Sequence, residues 1–218
     1  MDIAVLASGR GSNLRAIAEA IDRGACTARV VAVVSDKADA AALAFASGRG
    51  VATAVVEPRA HASRALWDAA LAETVASFSP ELVVLAGFMR IVGASMLARF
   101  PQRIVNVHPA LLPSFPGAHG ARDAIAKGVR ISGCTVHLVD AGVDTGPILA
   151  QAAVPVLPTD DEASLQARIQ RAEHRLLPAV IDAIARGAIT LGPAGPALGA
   201  ALSYDEGALF SPAPGGPR

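Results

Sequence analysis

The sequence predicts an α/β protein, an open and mostly parallel sheet with helices packed on both faces. Three observations predict it. Short apolar runs rich in Val, Ile and Leu recur along the chain, each of strand rather than helix length. Segments with helical periodicity separate them, the alternation that parallel strands with crossover helices require. The loops that leave these runs carry glycine, proline and polar residues, on the edge where such sheets hold ligands.

Ile3 to Ala7 reads as a buried strand, followed by the loop Ser8-Gly9-Arg10-Gly11-Ser12-Asn13-Leu14 and an amphipathic helix to about Arg23. Ser12 or Asn13 can cap that helix, whose first turn suits a phosphate or carboxylate. Leu14 stands where a dinucleotide fingerprint needs its third glycine, so a single phosphate fits better than a pyrophosphate. Ala28 to Ser35 is a second strand, and Asp36 after it suits either a ribose contact or a cap for the helix that ends near Ser47. Val51 to Val56 is a third strand, and Arg64 to Phe78 a helix with Trp67, Leu71, Val75 and Phe78 inward. Arg64 opposes the dipole at that helix start, as a solvated arginine or as a partner for a carboxylate.

Leu82 to Gly87 is the fourth strand, and Phe88-Met89-Arg90-Ile91-Val92 prolongs it with an apolar rim that could meet a planar ligand or simply extend the core. Ile104 to His108 is a strand that runs into a loop stiffened by Pro109, Pro113 and Pro116. A helix follows from about Gly120 to Lys127, then a strand from Ser132 to Val139, the turn Asp140 to Pro147 and a strand from Ile148 to Val156. A long helix from about Asp161 to Arg186 carries Leu165, Ile169, Leu176 and Ile181 on one face and is interrupted by Pro178. We expect residues 1–192 to form a single domain and 193–218 a partly disordered extension, with a disordered tail from Phe210.

Composition narrows the functional class. The chain has 218 residues, 52% hydrophobic and 17% charged, enough for one large core without disulfides. A net charge of zero argues against a nucleic-acid surface, so the partners should be small molecules. Cys26 and Cys134 form no metal-ligand pattern and are expected as inert thiols. The first strand starts at Ile3, leaving no signal segment, and no apolar run reaches membrane length, so the expectation is a cytoplasmic protein, monomer or homodimer, with no membrane partner.

Asn106 and His108 are two apart, which on a strand puts an amide and an imidazole on one face at what reads as a solvent-accessible strand end. Thr135, His137 and Asp144 could converge on the same pocket. An aspartate beside a histidine favours the imidazolium form, an acid that keeps its proton near neutrality. Together with an amide donor it could hold the oxyanion formed when an amine attacks a carbonyl, each such donor being worth about 3–4 kcal/mol. Ser114 sits between prolines and Cys134 lies mid-strand, so direct transfer between two substrates fits better than an acyl-enzyme. His108, His119, His137 and Asp144 could instead ligate zinc, but none has the usual spacing, and no metal is expected.

Four blocks in order, Ser8 to Leu14, Leu85 to Ile91, Asn106 to Pro113 and Asp140 to Pro147, resemble the phosphoribosylglycinamide formyltransferases from Met1 to about Val180. The resemblance implies the Rossmann-like formyltransferase fold and transfer of a formyl group from the cosubstrate 10-formyltetrahydrofolate to the amine of phosphoribosylglycinamide in purine synthesis. It implies catalytic roles for Asn106, His108 and Asp144: His108 as proton donor, Asn106 as oxyanion donor, Asp144 as the group that orients the histidine and orders a proton-relaying water. Gly11, Ser12 and Asn13 match the phosphate site and Glu173 a glycinamide contact. Arg64, Met89, Arg90, Ile91, Val92, Asn106, Asp140 and Asp144 match the reduced-folate side, with Arg64 toward the glutamate tail. Only His119 follows Gly117 where some members carry a second polar residue or histidine, and Thr135 replaces a serine.

Relatives share these motifs. Methionyl-tRNA formyltransferase adds a nucleic-acid-binding domain and formyltetrahydrofolate hydrolase a regulatory one, and the length disfavours both. A non-catalytic nucleotide-binding module would use the Gly9/Gly11 loop and Asp36 but leaves Asn106, His108 and Asp144 unexplained.

Overall fold

The computed structural model describes residues 1–192, 195–198, 203–205 and 208–211. The chain divides into two compact units, Met1–Asn106 and Val107 onward.

The first unit is a five-stranded parallel sheet. Its strands are β1 (Asp2–Leu6), β2 (Arg29–Ser35), β3 (Ala52–Val55), β4 (Leu82–Leu85) and the start of β5 (Ile104–His108), in the order β3-β2-β1-β4-β5. Ile3, Ala4, Val5 and Leu6 of the central strand are fully buried, which is why β1 reads as an unbroken apolar run rather than an alternation. The order reverses between β1 and β4, so the loops that leave these two strands open on a topological switch point.

Helix α1 (Ser12–Asp22) buries Leu14, Ile17 and Ala18. Its N-cap is Gly11, which has no side chain to cap with, so Ser12 and Asn13 lie inside the first turn rather than at the cap position. Gly11 has φ +72°, and a Cβ there would sit 2.9 Å from that of Ala42, so a glycine is required on both counts. Helix α2 (Ala41–Gly48) starts at Ala40, again without a side-chain cap, and Asp36 therefore does not cap it.

Helix α3 (Arg64–Ser77) is capped by Ser63, whose hydroxyl accepts the Leu66 N–H. It turns Trp67, Leu71 and Val75 inward, and the Trp67 indole donates to the Val56 carbonyl at 2.8 Å. Helix α4 (Ala94–Arg99) has no counterpart in the sequence reading. Its cap is supplied from α3: buried Asp68 accepts the N–H groups of Gly93 and Ser95 at 2.5 and 2.7 Å.

The second unit takes the last two residues of β5, then α5 (Gly120–Ala126), β6 (Ile131–Leu138) and β7 (Ile148–Pro155). β6 and β7 are antiparallel, with Thr135 opposite Gln151. Residues 139–147 between them are too few for a crossover helix, so this part departs from the parallel pattern. Helix α6 (Glu162–Ala185) opens with a reciprocal capping box between Asp161 and Ser164, runs through Pro178, and packs on β6 and β7 through Leu165, Ile169, Leu176 and Ile181.

Past α6, β8 (Ile189–Thr190) pairs with β9 (Ala197–Leu198), and β10 (Ser203–Asp205) pairs with β11 (Ala208–Ser211), which runs antiparallel along β7. Phe210 and Ser211, expected to belong to a disordered tail, instead have ladder partners in Ala152 and Gln151. Residues 212–218 lie outside the described residues. No described helix is long and apolar enough to cross a membrane.

Candidate active site

In the first unit the candidate residues gather at the switch point. Gly11, Ser12 and Asn13 open α1, at the end of the helix whose dipole favours negative charge. The Ser8 hydroxyl accepts the Met89 N–H at 2.8 Å, tying the loop after β1 to the segment after β4. Arg64 is no free surface cation: its Nη2 donates to the Ile91 carbonyl at 2.5 Å, and the guanidinium lies 5.9 Å from the Trp67 ring. Arg90 donates through Nε to Asp36 at 2.8 Å.

Successive residues of 89–95 are thus pinned by Ser8, Asp36, Arg64 and Asp68, while the Met89 and Ile91 side chains stay 72% and 54% exposed. Large apolar side chains held out to solvent on a fixed backbone suit a flat aromatic ligand. Val92 is 4% exposed, so this position has only backbone to offer. Asn106, on β5, is half-buried and shares a strand face with His108.

In the second unit His108 makes two ring contacts. Nε2 donates to the Phe115 carbonyl at 2.8 Å, and Nδ1 lies 3.4 Å from Asp144 Oδ2. Each ring nitrogen faces an acceptor oxygen. At 3.4 Å the Nδ1 contact is longer than the 2.7–2.9 Å of a tight charge-assisted bond. Far from being solvent-accessible, the histidine is 4% exposed. The strand end is covered by the very loop, residues 109–117, that supplies its carbonyl partner.

Asp144 sits at φ +56°, a left-handed conformation that Asp and Asn tolerate better than most residues. It accepts the Gly117 N–H at 2.9 Å, and its other oxygen lies 3.6 Å from His137 Nε2. Asp140 is occupied in shaping the same turn, taking the Thr145 hydroxyl at 2.7 Å and the Gly142 N–H at 3.0 Å.

Of the strand-end set, His137 joins Asp144 but Thr135 does not. The Thr135 hydroxyl donates to the Ala110 carbonyl at 2.7 Å and accepts from Leu112 N–H and Gln151 Nε2, so it anchors the loop rather than a substrate. Thr135→Val should cost about 1–3 kcal/mol in urea denaturation by orphaning these buried groups, and Thr135→Ser should recover most of it. An unchanged urea midpoint for the valine variant would show that the anchor contributes nothing.

Glu173 is buried on α6, 4% exposed, and His119 forms the exposed N-cap of α5. Burial, reinforced by the Glu173 charge, pushes the Cys134 thiol well up, and Cys26 is also buried. No group of three or more His, Cys, Asp or Glu side chains among the described residues is placed to hold a metal ion.

The family model described as Formyl transferase matches residues 1–181. The chain belongs to the formyl transferase family. It is 51% identical over 189 residues to a phosphoribosylglycinamide formyltransferase of Mycobacterium tuberculosis (strain ATCC 25618 / H37Rv), covering 87% of each chain. It is 41% identical to that of Escherichia coli (strain K12), covering 88% of this chain and 90% of that one. The crystal structure of glycinamide ribonucleotide transformylase 1 from Symbiobacterium toebii superposes with a TM-score of 0.86 at 47% identity, covering 88% of this chain and 91% of that one. The α/β formyltransferase fold is thereby shown.

In this formyl transferase, burial first of all depresses the protonation of His137. The Leu138 carbonyl and Asp144 oppose that effect, and His108 adds to it. The fold thus resists a proton that the unfolded chain accepts near the ordinary histidine value of 6.5. The resulting stability is complete above that value and is lost as the pH falls from there toward the lowered one. Urea midpoints between pH 8 and 5 should fall less steeply for His137→Gln than for the parent chain. Parallel pH curves for the two would contradict this.

Proposed function

We propose that this formyl transferase moves the formyl group of 10-formyltetrahydrofolate to the amine of N1-(5-phospho-D-ribosyl)glycinamide, a step of purine biosynthesis, in the cytoplasm. We assign residues 1–192 to one formyltransferase domain, a reading supported by a family match that runs through both units. The observation that carries the catalytic assignment is the contact of Asp144, in the turn between β6 and β7, with His108, on the strand that also presents Asn106.

Gly11, Ser12 and Asn13 take the phosphate at the start of α1, and Glu173 contacts the glycinamide. The rim Met89–Val92 receives the pterin of the reduced folate, Arg64 turns its remaining donors to the glutamate tail, and the backbone of 140–144 reads the pterin edge. The substrate amine attacks the formyl carbon and a tetrahedral intermediate forms. His108 gives its proton to the developing oxyanion, Asn106 adds an amide donor to it, and Asp144 keeps the imidazole turned and orders the water that carries the amine proton away. That water passes the amine proton to N10 of the departing folate, the hydroxyl returns its proton to His108 as the carbonyl re-forms, and the C–N10 bond breaks to release tetrahydrofolate. No acyl-enzyme forms, so the formyl group passes directly between substrates.

Incubation with both substrates tests this, with mass spectrometry of the products. Formylated phosphoribosylglycinamide should appear only when both are present, in step with tetrahydrofolate. Formate released at the same rate with or without the amine would assign the chain a hydrolase activity instead.

A further inference from the structure

We propose that Asp36 is a positioning residue for the reduced-folate rim, acting through Arg90. The proposal rests on the assignment of 89–92 to the folate. The Asp36 side chain is completely buried at the end of β2, whereas Arg90, its ion-pair partner at 2.8 Å, is 45% exposed. The second carboxylate oxygen, Oδ1, is buried and takes no hydrogen bond among the described residues.

As a fold-stabilising device this is a poor arrangement. A buried carboxylate with one cation partner and an unsatisfied oxygen holds the fold less well than an apolar residue of similar size would. What it does accomplish is directional. The Nε contact holds the side chain of Arg90, the residue between Met89 and Ile91, and so restrains the backbone from which the two exposed apolar side chains project. Ser8 and Arg64 hold the neighbouring backbone N–H and carbonyl, and Asp36 holds the residue between them by its side chain. A rim fixed in this way meets a flat ring without first being ordered, which is where binding strength is otherwise lost.

The test is Asp36→Asn in the full chain, with steady-state kinetics in both substrates. We expect KM for 10-formyltetrahydrofolate to rise about tenfold, kcat to stay within about twofold, and KM for the phosphoribosyl substrate to be unchanged. Fluorescence titration with tetrahydrofolate should weaken by the same factor. Because Asp36 acts through Arg90, the double variant Asp36→Asn/Arg90→Gln should be no worse in folate KM than Arg90→Gln alone. The double variant also buries no charge and substitutes for the single one if that fails to fold.

An unchanged folate KM, or equal losses for both substrates, overturns the proposal. Ile91→Ala separates the two readings. If it raises folate KM while Asp36→Asn does not, Asp36 is no positioning residue and the rim assignment survives. If neither does, the rim assignment has failed and the proposal with it.

Discussion

His108→Gln lowers kcat about a thousandfold with little change in either KM, because the lost group acts on charge that develops only in the transition state. Glutamine is the informative replacement. His108 is buried between the Phe115 carbonyl and Asp144, and alanine would leave a void and orphan both partners, costing about 1–3 kcal/mol of stability. A glutamine amide fills most of that space and can still donate to the Phe115 carbonyl, but it cannot supply a proton. Activity should therefore collapse while thermal stability falls by only a few degrees. Activity retained within tenfold would remove His108 from the chemistry, and unfolding of the glutamine variant would return it to a structural role.

Asp144→Asn lowers kcat about a hundredfold or more. Asparagine suits the position better than alanine, since the residue sits at φ +56° and an alanine would add strain to the loss of function. Asparagine keeps an oxygen for the Gly117 N–H that Asp144 accepts at 2.9 Å, so the loop should stay in place. What disappears is the negative charge that faces the imidazole at 3.4 Å and keeps it turned. A variant that instead raised only the folate KM would show Asp144 to be a binding residue without a part in proton transfer.

Much of this was legible in the chain itself. The apolar runs of β1, β2, β4 and β5 announce buried strands, and the spacing of Asn106 and His108 places them on one face because strand side chains alternate. Gly11 was legible as part of a glycine loop, though not its contact with Ala42, which needs α2 packed against α1.

What local pattern could not give were the contacts made at long range. Helix α4 was missed because its cap is Asp68, on another helix, and a six-residue segment behind Gly93 carries no start signal of its own. The partners of His108 and Asp144 include a backbone carbonyl and a backbone N–H, groups that every residue owns and no sequence marks. Asp36 looked like a helix cap because aspartate before a helix usually is one; only the packed sheet reveals Arg90 beside it. Thr135 and His137 share a strand face, yet the hydroxyl of one is taken up by the loop from Ala110 to Leu112 and the ring of the other reaches Asp144.

The central claim is that His108 and Asp144 act as one proton-handling unit during direct formyl transfer. The measurement that tests it most directly is kcat, at saturating substrates, for His108→Gln, Asp144→Asn and the double variant. The account predicts that the double variant is slowed by far less than the product of the two separate factors, because much of the aspartate's effect runs through the imidazole and is already lost with it. A double variant slowed by the product of the two separate factors would contradict it.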